Sequence, residues 1–179
     1  MFLNTYSSAD FSRGASFLKE MAWIMLSGVL VTSWFPGSRW RVTLMRLFGA
    51  RIGQSVVMKP GVKVKFPWRL VVGDYSWIGE DVWIDNLATV SIGSHACISQ
   101  SAYLCTGSHD WSIRSFELIV KPISIGDRAW IGAHSKIAPG TLVGEGAVVQ
   151  MGAVANGILS PWHIYSGSPI RKVSQRKLI

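Results

Sequence analysis

Residues 125–154 read IGDRAW IGAHSK IAPGTL VGEGAV VQMGAV, five consecutive units of six, each opened by an aliphatic residue. The same frame extends back to units opening at Ile52, Met58, Val72, Ile78, Ile84, Ile92, Ile98 and Leu104. Glycine follows the opener in Ile52-Gly53, Val72-Gly73, Ile78-Gly79, Ile92-Gly93, Ile125-Gly126, Ile131-Gly132 and Val143-Gly144. The fifth position plays no part in choosing the frame. It holds Val56, Val62, Ser76, Val82, Ala88, Ala96, Ala102, Ser108, Ala129, Ser135, Thr141, Ala147 and Ala153, so all thirteen are small or β-branched. Such a short strict period marks a repeat architecture in which no unit can bury its inner face alone.

A short strand every six residues, aliphatic inward and small near each corner, builds a triangular prism with three units per coil. Face one then opens at 52, 72, 92, 125 and 143, face two at 58, 78, 98, 131 and 149, and face three at 64, 84, 104 and 137. The unit VKFPWR at 64–69 departs from the pattern and marks a corner insertion near Pro67 and Trp68. Residues 110–124, DWSIRSFELIVKPIS, have no place in the coil and are expected to project as a loop. The predicted fold is therefore an all-β repeat, a parallel β-helix at 51–160 with loop 110–124, an N-terminal helical cap at 1–50 and a tail at 161–179.

The run at 21–35, MAWIMLSGVLVTSWF, is the most apolar of the chain. As a helix it reaches roughly 22 Å, short of the ~30 Å hydrocarbon core of a bilayer. Lys19 and Glu20 precede it and no small-residue cleavage site follows, which fits a secretory signal poorly. A helix over 17–35 that covers the first coil near Ile52 is expected, with one apolar side left for peripheral membrane contact. The formal charge is +8, with Arg39, Arg41, Arg46 and Arg51 early and Arg171, Lys172, Arg176 and Lys177 late. That balance suits an anionic partner, and without a nucleic-acid motif beside it, nucleic acid is not expected. Cys97 and Cys105 lack metal-ligand spacing and read as a reduced cytoplasmic pair.

His109 closes the unit LCTGSH at the root of the loop, where a rigid scaffold commonly displays function. Asp110 beside it fits either an acceptor contact or a turn cap. Because position 84 stacks under 104, Asn86 falls one rung, roughly 4.8 Å, below Thr106. Asp85 and Asn86 then share a face with the segment that delivers His109, and acceptor binding and plain turn chemistry both account for them.

Residues 48–173 resemble the sugar O-acetyltransferases of the hexapeptide-repeat family. ISQSAYLCTGSHD at 98–110, WIG at 130–132 and PG at 139–140 are similar to colanic acid biosynthesis acetyltransferases, and RLFGARIG at 46–53 fits that subgroup. The resemblance implies a left-handed winding and acetyl-CoA as co-substrate. It implies an exopolysaccharide sugar, free, nucleotide-linked or lipid-linked, as acceptor, and a homotrimer with sites between subunits. It also implies His109 as general base, Trp130 beside the pantetheine arm, backbone exposed at Ala133 and Gly152, and Arg171 or Lys172 on the cofactor phosphate. One departure stands out: related enzymes carry Thr-Lys after the last repeat where this chain has Asn156-Gly157. No metal is expected, because His95, His134 and His163 are not spaced with His109 as ligands. The competing reading is a non-catalytic β-helix scaffold, which would have no use for His109 at the loop.

Overall fold

The computed structural model describes residues 3–9 and 11–178. The repeat winds as a left-handed parallel β-helix with three sheets. Face one stacks Ile52, Val72, Ile92, Ile125, Val143 and Leu159 in direct register. Face two stacks Met58, Ile78, Ile98, Ile131, Val149 and Tyr165, and face three Val64, Ile84, Leu104, Ile137 and Ala155. All of these side chains are buried, and together they form the core. The frame read from the sequence is thus the frame of the ladder.

Close approach of successive coils explains the second-position glycines. A Cβ on Gly73 would fall 2.5 Å from Ser94 N, and one on Gly132 would fall 2.6 Å from Met151 N. At the fifth position, hydroxyls that enter the core find carbonyls: Ser76 Oγ donates to Gly93 O at 2.6 Å and Thr141 Oγ1 to Ala138 O at 2.7 Å. Burial without a partner would be destabilising, so these contacts license the polar residues there.

The first coil has no coil beneath it, and its edge would present unpaired backbone groups. The cap supplies partners on every face. Helix α1 (Phe17–Leu26) continues as a π turn over Ser27–Val31, and helix α2 (Arg39–Leu47) follows. On face one, Arg46 donates to Ile52 O and Gly53 O at 2.8 and 2.6 Å. At face two, Ser38 Oγ accepts from Met58 N at 2.6 Å and donates to Val56 O at 3.2 Å. At face three, Trp23 Nε1 donates to Val64 O at 2.9 Å.

Three boundaries differ from those expected. The helix ends at Val31 rather than 35, and α2, absent from the sequence reading, buries Val42 and Met45 on the coil. The chain leaves the coil after Thr106, not after His109. Gly107–His109 pairs antiparallel with Leu118–Val120, so the excursion is a hairpin that closes where Lys121 N donates to Thr106 O at 2.9 Å. Ile123–Ile125 already belongs to face one. The coil also continues past 160. His163–Ser166 stacks on Val148–Val149, and Arg171–Gln175 folds back antiparallel over it.

Candidate active site

His109 ends the first strand of the hairpin and is fixed from three sides. Its Nδ1 lies 2.8 Å from Phe116 O, its ring stacks on Phe116 at 4.3 Å, and Tyr6 meets it edge-on at 5.4 Å. A carbonyl oxygen can only accept. The proton therefore sits on Nδ1, and Nε2 keeps its lone pair in the neutral ring. That tautomer and a locked ring are what a proton acceptor needs.

Asp110 caps the hairpin tip. Its Oδ1 accepts Ser112 N at 2.9 Å and Ser112 Oγ at 2.5 Å, and these hydrogen bonds hold its carboxyl below the usual range. The residue thus performs the turn role.

Asn86 is a correction to the sequence reading. It is 0 % exposed, with Oδ1 accepting Phe66 N at 2.9 Å and Nδ2 donating to Phe66 O at 2.7 Å. Both halves of the amide replace a ladder pair where the chain breaks into the Pro67–Arg69 turn, so no acceptor can reach it. The register to Thr106 is as expected, but the side chain points into the coil. Asp85 faces outward instead, and its carboxylate accepts Tyr103 O–H at 3.1 Å and lies 3.0 Å from Lys65 Nζ. Burial, with Cys105 and Asp85 beside it, pushes the Tyr103 phenol far up, so it stays a donor. These partners lie along face three, not on the hairpin.

The expected cofactor residues gather elsewhere. Trp130 projects from face two, 47 % exposed, with Nε1 donating to Ser99 Oγ at 2.8 Å, in register with Cys97 and, one rung further, Trp77. Ala133 and Gly152 occupy successive rungs of the corner between faces two and three. Gly152 N donates to Ala133 O at 2.9 Å, so this pair of backbone groups is engaged within the chain. A Cβ on Gly152 would meet nothing within 4 Å, which leaves the corner open on its outer side. Arg171 and Lys172 are exposed on the strand that extends face two's sheet. The hairpin, in contrast, leaves the corner between faces three and one. Within one chain the two sets of residues stand at opposite edges of face three.

The remaining histidines have structural places. His95 and His134 sit at corners with φ of 56°, and His95 stacks on Tyr75 at 5.1 Å. His163 Nδ1 lies 2.7 Å from Pro161 O. Among the described residues, no three His, Cys, Asp or Glu side chains are grouped to hold a metal ion, and both cysteines are free.

One part of the site was not legible in the sequence. A cavity of about 560 Å³ lies between the first residues and the hairpin, lined by Thr5, Ser7, Ser8, Phe11, Glu117 and Leu118 among others. The segment 3–9 carries no periodicity or motif, and only the fold brings it to His109.

Residues 122–155 match the family model described as the hexapeptide repeat of succinyl-transferase. The chain is 42% identical over 149 residues, 82% of its own length and 81% of the relative's, to an Escherichia coli protein assigned as the colanic acid biosynthesis acetyltransferase WcaF. It is 25% identical over 138 residues to the galactoside O-acetyltransferase of Escherichia coli, covering 75% of this chain and 68% of that one. Among solved structures, the hexapeptide-repeat acetyltransferase of Vibrio cholerae O1 biovar eltor, complexed with acetyl coenzyme A, superposes with a TM-score of 0.81 at 26% identity over 92% of each chain. With this repeat, this ladder and a relative so similar over most of both lengths, the chain belongs to the hexapeptide-repeat acetyltransferases.

Proposed function

We propose that the protein transfers the acetyl group of acetyl-CoA to a hydroxyl of an exopolysaccharide sugar or of its nucleotide-linked or lipid-linked precursor, with His109 as general base. The observation that carries this reading is the Nδ1 contact of His109 to Phe116 O, which leaves Nε2 free to take a proton. Nε2 removes the acceptor hydroxyl proton as that oxygen attacks the thioester carbonyl. The tetrahedral intermediate collapses with cleavage of the C–S bond, and the imidazolium returns its proton to the departing thiolate. No acyl-enzyme forms.

Support for the donor comes from family membership and from the acetyl coenzyme A bound to the Vibrio cholerae relative. Trp130, the open corner at Gly152 and the basic pair Arg171 and Lys172 lie along one side of the prism, a course that suits an extended cofactor ending in phosphate. Support for a sugar acceptor comes from the names of the relatives and from the hydroxyl-lined cavity beside the hairpin. Since His109 and the cofactor corner stand at opposite edges of face three, the reading requires a neighbouring subunit to bring a hairpin to each groove. A homotrimer of parallel prisms does this by closed symmetry.

The deciding experiment incubates the purified protein with acetyl-CoA and a panel of nucleotide sugars, lipid-linked intermediates and polysaccharide fragments, and follows release of free CoA thiol and acetyl mass gain. His109→Ala is expected to lower turnover by about 100-fold or more while acetyl-CoA binding persists. Near-normal turnover of that variant at saturating substrate would end the assignment of His109.

A further inference from the structure

The charge of this protein is unevenly placed. Residues 1–73 hold ten of the eighteen Lys and Arg but two of the ten Asp and Glu, while residues 74–179 carry eight of each. The whole formal +8 therefore arises at the capped end of the prism, and the rest of the chain is neutral.

The same end has an inverted helix. A helix lying on a protein ordinarily turns its apolar stripe inward and its polar side to water. In α1 the buried residues are Glu20 and Trp23, and Glu20 is paired with Arg13. The outer side carries Phe17, Leu18, Ile24 and Met25, exposed by 53 to 78 %, and the segment beyond it adds Trp34 at 84 % and Phe35 at 60 %. Leu30, Phe35 and Trp40 help to line a hollow of about 230 Å³, and Leu30, Arg39, Trp40 and Leu47 an adjoining one of about 530 Å³. Ser27, Gly28 and Thr32 meet Lys63 and Lys65 around a third hollow of about 210 Å³, which Asp85, paired with Lys65, also lines. Apolar and aromatic groups thus occupy this end together with exposed cations, Arg39 at one hollow and Lys63 at another.

We propose that this end docks on an anionic lipid surface, with α1 and residues 27–35 lying in the headgroup plane. Aromatic rings and aliphatic side chains gain by entering the interface, and each Lys or Arg near an anionic leaflet adds attraction. No helix among the described residues is long and apolar enough to cross a membrane, so the chain lies on the surface rather than spanning it. A second copy packed face to face would set one basic end against another, which charge opposes. Docking would also orient the molecule: the first residues reach from this end to His109, where Tyr6 meets the imidazole. Its consequence, a preference for a lipid-linked acceptor, rests on the proposed acetyl transfer, but the docking itself does not.

The test uses the full chain with vesicles of phosphatidylcholine alone or with phosphatidylglycerol, read by co-sedimentation without donor or acceptor. Binding is expected only to the anionic vesicles, falling severalfold between low salt and roughly 0.5 M salt. Trp34→Ser with Phe35→Ser should weaken it by about tenfold or more, with an unchanged melting temperature because both side chains are exposed. Arg39→Gln with Lys63→Gln should weaken binding severalfold through charge alone. Transfer to a soluble acceptor should be unaffected in the serine variant, which separates failure of docking from failure of the activity. The proposal is overturned by no binding above background at low salt, or by a serine variant that binds like the parent. It is equally overturned if the serine variant changes the mass of the lipid-free protein in solution, since another copy would then cover this face.

Discussion

At the scale of single residues, two neighbours in the sequence reading take different roles once their side-chain directions are known. His109 and Asn86 are both polar residues on or beside face three, yet one ring ends in a projecting hairpin and the other amide is enclosed in the coil. Asn86→Ala would leave the N–H and C=O of Phe66 without partners in a buried place, at a loss of roughly 2–4 kcal/mol. The expected outcome is a melting temperature lower by several degrees with acceptor KM unchanged, measured on the same preparation. A raised KM at unaltered stability would restore Asn86 to the acceptor site. Trp130 is a similar case of one residue with two fits, since its Ser99 contact and its register with Cys97 account for its position without a ligand. Acetyl-CoA binding by a Trp130→Ala variant separates the two.

At the scale of elements, the cap and the hairpin each depend on one polar residue. Arg41 is fully buried between the end of the π turn and α2, with Nε donating to Val31 O at 3.1 Å and Nη2 to Ser33 O and Phe35 O at 2.7 and 2.6 Å. Nη1 reaches Gly37 O at 2.5 Å. One guanidinium therefore satisfies four carbonyls between Val31 and Gly37. Arg41→Ala should destabilise the protein by at least about 3 kcal/mol and loosen the cap first, visible as early amide exchange over 31–37. In the hairpin, the depressed Asp110 carboxyl means that its contribution to the turn is present above the usual carboxylate range and is lost as pH falls through the lowered value. Ser112→Ala should return the Asp110 titration, followed by NMR, toward its ordinary position. An unmoved titration would show that the Ser112 hydroxyl is not the cause.

At the scale of the whole molecule, an isolated prism exposes Trp77, Trp83 and Trp130 on its outer faces and divides the expected base from the expected cofactor corner. Sedimentation is expected to give three times the chain mass, and an active monomer would remove the composite site. The six-residue period alone determined the coil, because a strand pairs with its own repeat one coil away and every opener must face inward. That rule placed Ile52 under Val72 and Ile84 under Leu104 without any knowledge of distant contacts. It could not place what departs from the period. The helix α2 has a mixed sequence whose inward side is set by the edge it covers, where Arg46 and Ser38 meet backbone groups of the first coil. The hairpin starts before His109 because residues 107–120 pair with each other rather than with the coil, and a repeat frame counts Ser108 as a fifth position regardless. Asp85 and Asn86 differ by one residue, and strand alternation alone would send them to opposite sides; it took the chain break at Pro67 to show that the inward amide has a backbone to bind. The sequence determines which residues repeat, and the tertiary structure decides which of the others meet, because those contacts join segments that share no period.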